Sequence, residues 1–247
     1  MSGHSKWHSI RHKKGANDAA RGKVFTRHGK LITIAARDGG GDPDMNPGLR
    51  LAIENAKKEN MPNTNIERAI KKGTGEDKDG AILEEIAFEG YGVEGIAVYV
   101  KTITDNRNRT VASVRSAFSK NGGNLGSSGS VAFMFHNKGL IEIKNPSEDL
   151  EMVAIENNAD DIKEENGTAE VICDPKEFTV LKKALEEAGA DIYHAEVTMI
   201  PETTVRIEDE GKAKQIMKLV SALEDDDDVS SVHANFDIPE EILEKIA

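Results

Sequence analysis

From Thr203 to Phe236 the chain reads TTVRIEDEGKAKQIMKLVSALEDDDDVSSVHANF, a stretch in which both periods of regular structure follow one another. Residues 203–207 have the β-branched content of a strand. In residues 212–223, Ile216, Leu219, Val220 and Leu223 recur at spacings of three and four, the signature of one apolar helix face, and residues 229–236 return to a strand pattern. Strand, helix, strand predicts a βαβ unit, with Pro239 starting a short terminal helix. The acidic run Glu224 to Asp228 between helix and strand reads as a solvated loop.

The same layout recurs upstream. Residues 140–143, 169–173 and 195–199 read as strands and residues 147–157 and 176–188 as helices, a small α/β unit of the split βαβ kind. Before it, residues 83–91 and 95–104 are rich in Ile, Val and Tyr and are joined through Gly92, which predicts a hairpin. A helix over 108–119 follows. Residues 121–130 are too rich in Gly and Ser for regular structure, and residues 131–135 resume an apolar strand.

The N-terminal third carries a different pattern. Val24, Leu31 and Ala35, flanked by Phe25 and Ile32, mark a helix over residues 17–37, and Gly39-Gly40-Gly41 ends it. A second helix has Asn46 as N-cap, Pro47 at its first position and Leu49, Ala52, Ile53 and Ala56 as its stripe. A third follows Pro62, with Thr64 and Glu67 in capping-box spacing, Ile66, Ala69 and Ile70 inward, and Gly73 as the stop. Three helices with short connections make a helical domain ending near residue 75, followed by a polar linker over residues 76–80.

The 247 residues are 31% charged with a net charge of −12, and that charge is unevenly spread. Between Met1 and Arg37 nine basic residues face the single acid Asp18, so the rest of the chain is more acidic than the total. A basic start on an acidic body predicts contact with a polyanion, the acidic part keeping the molecule dispersed. The single Cys173 excludes an internal disulfide and any thiolate metal cluster, and with the lack of a long apolar run it predicts a cytoplasmic chain outside the membrane.

The first candidate site is the tail and first helix, where Lys6, Trp7, Arg11, His12, Lys13, Lys14, Arg21 and Lys23 combine cations with one aromatic. Clustered Lys and Arg neutralise phosphates with release of counterions, and an indole can stack on an unpaired base. No apolar periodicity runs through residues 1–15, so this segment is expected to take its order from a partner. Arg68, Lys71 and Lys72 lie off the stripe of the third helix and extend the basic surface. Arg107 and Arg109 stand in Asp105-Asn106-Arg107-Asn108-Arg109-Thr110, at a strand-to-helix junction. This junction has two readings: a phosphate site at a helix N-terminus, or a capped turn whose arginines pair with local carboxylates. The Gly122 to Gly129 loop lacks the Gly-Lys-Ser/Thr ending of a P-loop, leaving close backbone approach to a large partner or a tight connection. His4, His8 and His12 lack accompanying carboxylates or thiols, so neither a metal nor another cofactor is expected. No serine elbow, Cys/His nucleophile or placed carboxylate pair is visible, which points away from catalysis.

At Gly3-His4-Ser5-Lys6-Trp7, His12-Lys13-Lys14, the run Asn65 to Gly73, the run Thr104 to Thr110, and Gly122-Gly123-Asn124-Leu125-Gly126, the chain resembles the YebC/PmpR family. The segment Arg27-His28-Gly29-Lys30 departs from the Lys-Leu-Ile-Arg run common in that family. The resemblance implies an α+β protein of three domains, an N-terminal three-helix domain and two ferredoxin-like α/β domains. It implies boundaries at residues 1–75, 81–135 with 203–247, and 136–202, the last inserted in the second. It also implies a DNA-binding transcriptional regulator. The alternative is a ribosome-associated translation factor that binds ribosomal RNA or tRNA and relieves stalled translation. An acidic protein-binding scaffold is a third class, separable from both by a weak dependence of binding on salt. The oligomeric state is not legible in the sequence.

Overall fold

The computed structural model describes residues 18–76 and 82–246, with side chains from Gly22 onward. The protein is α+β. Its helices are α1 (Asp18–Gly39), α2 (Pro47–Lys58), α3 (Asn63–Gly73), α4 (Arg107–Lys120), α5 (Glu148–Glu156), α6 (Phe178–Glu187), α7 (Glu210–Glu224) and α8 (Glu240–Ile246). Its strands are β1 (Glu84–Tyr91), β2 (Ala97–Thr104), β3 (Asn124–Leu125), β4 (Phe135–Lys144), β5 (Ala159–Glu165), β6 (Thr168–Cys173), β7 (Asp191–Pro201), β8 (Val205–Arg206), β9 (Val229–Ala234) and β10 (Phe236–Asp237).

Helices α1 to α3 close on Ile32, Ala36, Leu49, Ala56, Met61, Ile66 and Ala69. The Asn46 side chain accepts the N–H of Leu49 and donates to the carbonyls of Ala35 and Gly40, so one residue starts α2 and seals the end of α1. The capping box expected at Thr64 does not form. Pro62, extended at φ −61 and ψ 141, starts α3 at Asn63, which leaves Thr64 inside the helix where its hydroxyl cannot cap. Helix α1 buries two faces rather than the one its periodicity indicates. Ile32 and Ala36 face α2 and α3, while Leu31 and Ile34 meet Leu83 and Ile103 of the neighbouring α/β unit.

That unit is an antiparallel sheet ordered β3-β1-β2-β9, with α4, α7 and α8 packed through Val114, Phe118, Ile216, Leu219, Leu223 and Leu243. The Gly/Ser segment is not wholly irregular, since β3 pairs with Gly90 and Tyr91 of β1. Gly90 is required there, because a Cβ would lie 2.6 Å from the Asn124 carbonyl oxygen and 2.7 Å from the Phe118 ring. The expected βαβ at residues 203–236 closes differently. β8 pairs in parallel with β10, not β9. Asn235 makes the switch: its Oδ1 accepts the N–H of Ala97 in β2, and its carbonyl accepts the N–H of Val205 at the start of β8.

Between β3 and β8 in sequence lies the second large sheet, ordered β5-β6-β4-β7 and antiparallel throughout, with α5 and α6 over Ile141, Val171, Leu181 and Leu185. The order strand, helix, strand, strand, helix, strand is the split βαβ arrangement. The apolar strand expected at residues 131–135 is instead a 3₁₀ turn (Ala132–Met134) leading into β4. Strand β5 is an edge strand of sequence ADDIKEE whose pattern is almost wholly polar, which hides it from a reading by hydrophobic periodicity. Among the described residues no helix is long and apolar enough to cross a membrane.

Candidate nucleic-acid interface

Helix α1 places Lys23, Arg27 and Lys30 on one stripe, at spacings of four and three. The stripe faces the C-terminal end of α7. Lys23 Nζ donates to the Asp225 carbonyl at 2.9 Å, Arg27 Nη2 to the Glu224 carbonyl at 2.8 Å, and Lys30 Nζ to the Asp227 carbonyl at 2.7 Å. These oxygens are the unsatisfied carbonyls of a helix terminus and the turn beyond it, where the macrodipole favours cations. One turn from the C-terminal end of α1, Arg37 bonds the Leu83 carbonyl, Glu85 and Asp38. Much of the basic face of α1 is therefore turned onto the protein's own acidic body.

Asp228 is the centre of this contact. Its side chain is 5% exposed and receives Lys30 at 2.9 Å, Arg109 Nη2 at 2.8 Å and the Thr110 hydroxyl at 2.8 Å. Burial alone would raise its pKa, but hydrogen bonds from Lys30, Arg109 and Thr110 outweigh that and hold it at about 2. The acidic run does not stand free in solvent as its composition indicates, because a partner more than a hundred residues distant in sequence organises it.

The junction before α4 is built around the same carboxylate. Asn106 is the N-cap, its side chain accepting the Arg109 N–H at 3.1 Å, and Thr104 Oγ1 accepts the Asn106 N–H. Arg109 pairs with Asp105 and Asp228 at 2.8 Å each. The first turn of α4 does attract an anion, as its position indicates, and that anion is the protein's own Asp228. Arg109 thus follows the capped-turn reading, whereas Arg107 is exposed and makes no ion pair among the described residues.

Helix α3 behaves differently. Arg68 and Lys71 are exposed, Lys72 is half-buried, and none of the three makes a side-chain hydrogen bond or ion pair among the described residues. Arg68 and Lys72 line a cleft of about 800 Å³ between the helical domain and the α4–α7 face. Lys30, Arg109, Ser113 and the turn Asp225 to Asp228 complete its walls.

Of the residues singled out in the sequence, the structure gathers Arg68, Lys72 and Arg109 at this cleft, leaves Lys71 and Arg107 on the exposed surface, and ties Lys23 to α7. Lys6, Trp7, Arg11, His12, Lys13 and Lys14 lie outside the described residues, and Arg21 is placed by its backbone alone, in α1. Sequence reasoning missed Arg27, Lys30 and Asp228. Their signal was present in the i, i+4, i+7 spacing of Lys23, Arg27 and Lys30, but nothing local indicated what the stripe faces. The Gly/Ser loop is a tight connection. Glu89 of β1, 5% exposed, accepts the N–H groups of Gly129, Val131 and Ala132 at 2.7 Å each and so fixes the turn into β4.

Two family models match the chain, one described as the TACO1/YebC protein N-terminal domain over residues 5–76, the other as the TACO1/YebC second and third domain over residues 83–236. Among known proteins, the chain is 53% identical to a "Probable transcriptional regulatory protein" of Persephonella marina over the whole of both chains. It is 54% identical, again over the whole of both, to a protein of the same description from Geobacter sulfurreducens. A crystal structure of a conserved hypothetical protein from Aquifex aeolicus superposes with a TM-score of 0.82 at 48% identity, covering 92% of this chain and 94% of the other.

Proposed function

The chain belongs to the TACO1/YebC family, and from that premise we propose that it is a cytoplasmic regulator of gene expression that binds nucleic acid, acting on DNA as a transcriptional regulator. The names of its relatives support the transcriptional role. The observation that carries the binding surface is the contrast between α1 and α3. Lys23, Arg27 and Lys30 on α1 are engaged by the body of the protein, whereas Arg68, Lys71 and Lys72 are unengaged among the described residues, Arg68 and Lys72 lining an open cleft and Lys71 on the exposed surface. Unpaired cations at separations set by one helix face suit a phosphate backbone, which rewards several simultaneous ion pairs by counterion release.

The protein acts by binding and not by catalysis in this reading. The buried carboxylate of Asp228 in the wall of the cleft supports it, since an aspartate held at about 2 by three donors is a poor proton acceptor at neutral pH. A salt titration of binding to a 20-base-pair duplex and to a hairpin RNA tests the surface. Replacing Arg68, Lys71 and Lys72 with Ala should lower the slope by about 0.7 to 0.9 log units per log salt for each phosphate no longer neutralised. An unchanged slope removes α3 from the interface. Ultraviolet crosslinking in cells followed by sequencing tests the target: reads at discrete promoters uphold the transcriptional role, and reads concentrated on ribosomal RNA or tRNA overturn it.

A further inference from the structure

The stripe Lys23, Arg27 and Lys30 has the geometry that phosphate recognition requires, yet each member is bonded to the segment Glu224 to Asp228. That segment presents what a nucleic-acid backbone presents, a short run of oxygen acceptors with negative charge, here three main-chain carbonyls and the Asp228 carboxylate. Donors given to the turn are withdrawn from a phosphate, and Lys30 spends two of its three on the Asp227 carbonyl and the Asp228 carboxylate. We propose that the turn after α7 is a built-in competitor of nucleic acid. It holds the α1 stripe in a closed form, and phosphates displace it, freeing the helical domain from the α4–α7 face and adding three cations to those already exposed on α3.

This rests on the nucleic-acid reading above and specifies how that surface is regulated. The docking of α1 on the α4–α7 face is suited to reversal. Its apolar part is small, consisting of Leu31 and Ile34 against Leu83 and Ile103, while its polar part joins exposed lysine-to-carbonyl bonds, of the kind that contribute little individually, to the buried pair of Lys30 with Asp228. A polyanion offering several phosphates at once can shift such an equilibrium because it binds the open form, with its three additional cations, more tightly than the closed one. Asp228 is the natural latch, since it joins Lys30 of the helical domain to Arg109 and Thr110 of the α/β unit through one buried carboxylate.

The test uses the full chain, fluorescein-labelled 20-nucleotide RNA and 20-base-pair DNA as probes, and amide exchange along α1 as a readout independent of either. Asp228→Asn should accelerate exchange in α1 and tighten binding by up to about tenfold, the gain when a competent fraction near one in ten approaches one. The double variant Asp160→Asn and Asp161→Asn, on the edge strand β5, controls for the loss of negative charge and should leave α1 exchange as in the wild type. Unaltered exchange in Asp228→Asn, or equal tightening in the control, overturns the proposal.

A second measurement does not depend on how well Asp228→Asn folds. Lys23→Cys with Asp225→Cys, bridged by a bis-maleimide, locks the closed form. The native Cys173 is buried, with its thiol pushed up to about 11 by that burial, and does not compete for the reagent. The bridged protein should bind about tenfold or more weaker than the same variant capped singly with N-ethylmaleimide, by the same population argument. Equal binding by the two forms contradicts a competing turn. If the wild type binds neither probe in a salt-dependent way, the nucleic-acid reading itself fails. Salt-dependent binding that is indifferent to Asp228→Asn and to the bridge discards only the competitor.

Discussion

Replacing Glu89 with Gln perturbs a single buried site with countable consequences. The carboxylate accepts three backbone N–H groups at 2.7 Å, from Gly129, Val131 and Ala132. Burial alone would raise its pKa, but those three bonds overcome it and leave the group below its ordinary value, ionised in the fold. A glutamine has the same shape and one fewer acceptor oxygen, and its amide N–H₂ would face a backbone donor. Orphaning one N–H costs about 1–3 kcal/mol, and exchanging the remaining charge-assisted bonds for neutral ones costs about 1 kcal/mol each, for a total of roughly 3–5 kcal/mol. Native-state amide exchange at residues 129, 131 and 132 should therefore quicken by roughly two to four orders of magnitude, while the β4–β7 sheet interior keeps its protection. The same logic sets a pH dependence. A carboxyl with a lowered folded pKa contributes stability that is complete above its unfolded value and is lost as pH falls through the folded one. The glutamine variant should lack that acid-side loss. Exchange rates at these three amides within about fivefold of wild type would refute the assignment of Glu89 as the anchor of this turn, since that ratio corresponds to only about 1 kcal/mol.

Glu142 should behave in the opposite sense. It is 3% exposed, one carboxyl oxygen is buried without a partner, and burial with the neighbouring Glu170 and Glu196 raises its pKa to about 7 against the pull of His194. A raised acid stabilises the fold below its unfolded pKa and loses that contribution as pH rises through about 7, so Glu142→Gln should be neutral at pH 4 and stabilising by an amount on the order of 3 kcal/mol at pH 8. Thermal melts at the two pH values measure this, and a variant less stable at pH 8 contradicts it. Asn235→Ala should orphan the Ala97 N–H and remove the Nδ2 bond to the Thr203 carbonyl, costing about 1–3 kcal/mol, while the main-chain bond from Val205 to residue 235 remains. Urea unfolding followed by amide protection at Ala97 checks it, and retained protection would show that the side chain is not what joins the strands.

Much of the secondary structure was legible because it depends on neighbours in sequence. Asn46 and Pro47 start α2 by satisfying and omitting backbone donors within one turn, and Ile216, Leu219, Val220 and Leu223 place one face of α7 whatever the rest of the chain does. The uneven charge was equally visible, as were Arg68, Lys71 and Lys72 as cations off an apolar stripe. Strand β5 was not, because a polar edge strand takes its hydrogen bonds from β6 and carries almost no periodicity of its own.

The tertiary structure alone decided which cations are spent inside the molecule. Lys23 and Arg68 look alike in a sequence, each a basic residue on an amphipathic helix, but one lies against the Asp225 carbonyl and the other stands beside an open cleft. Lys30 and Asp228, separated by 198 positions, meet at 2.9 Å. The sequence by itself determined the composition of charge and the faces of the helices, since both follow from residue type and the 3.6-residue period. Pairing across such a separation depends on how whole units dock, through the apolar packing of Leu31 and Ile34 on Leu83 and Ile103, and no local pattern encodes that.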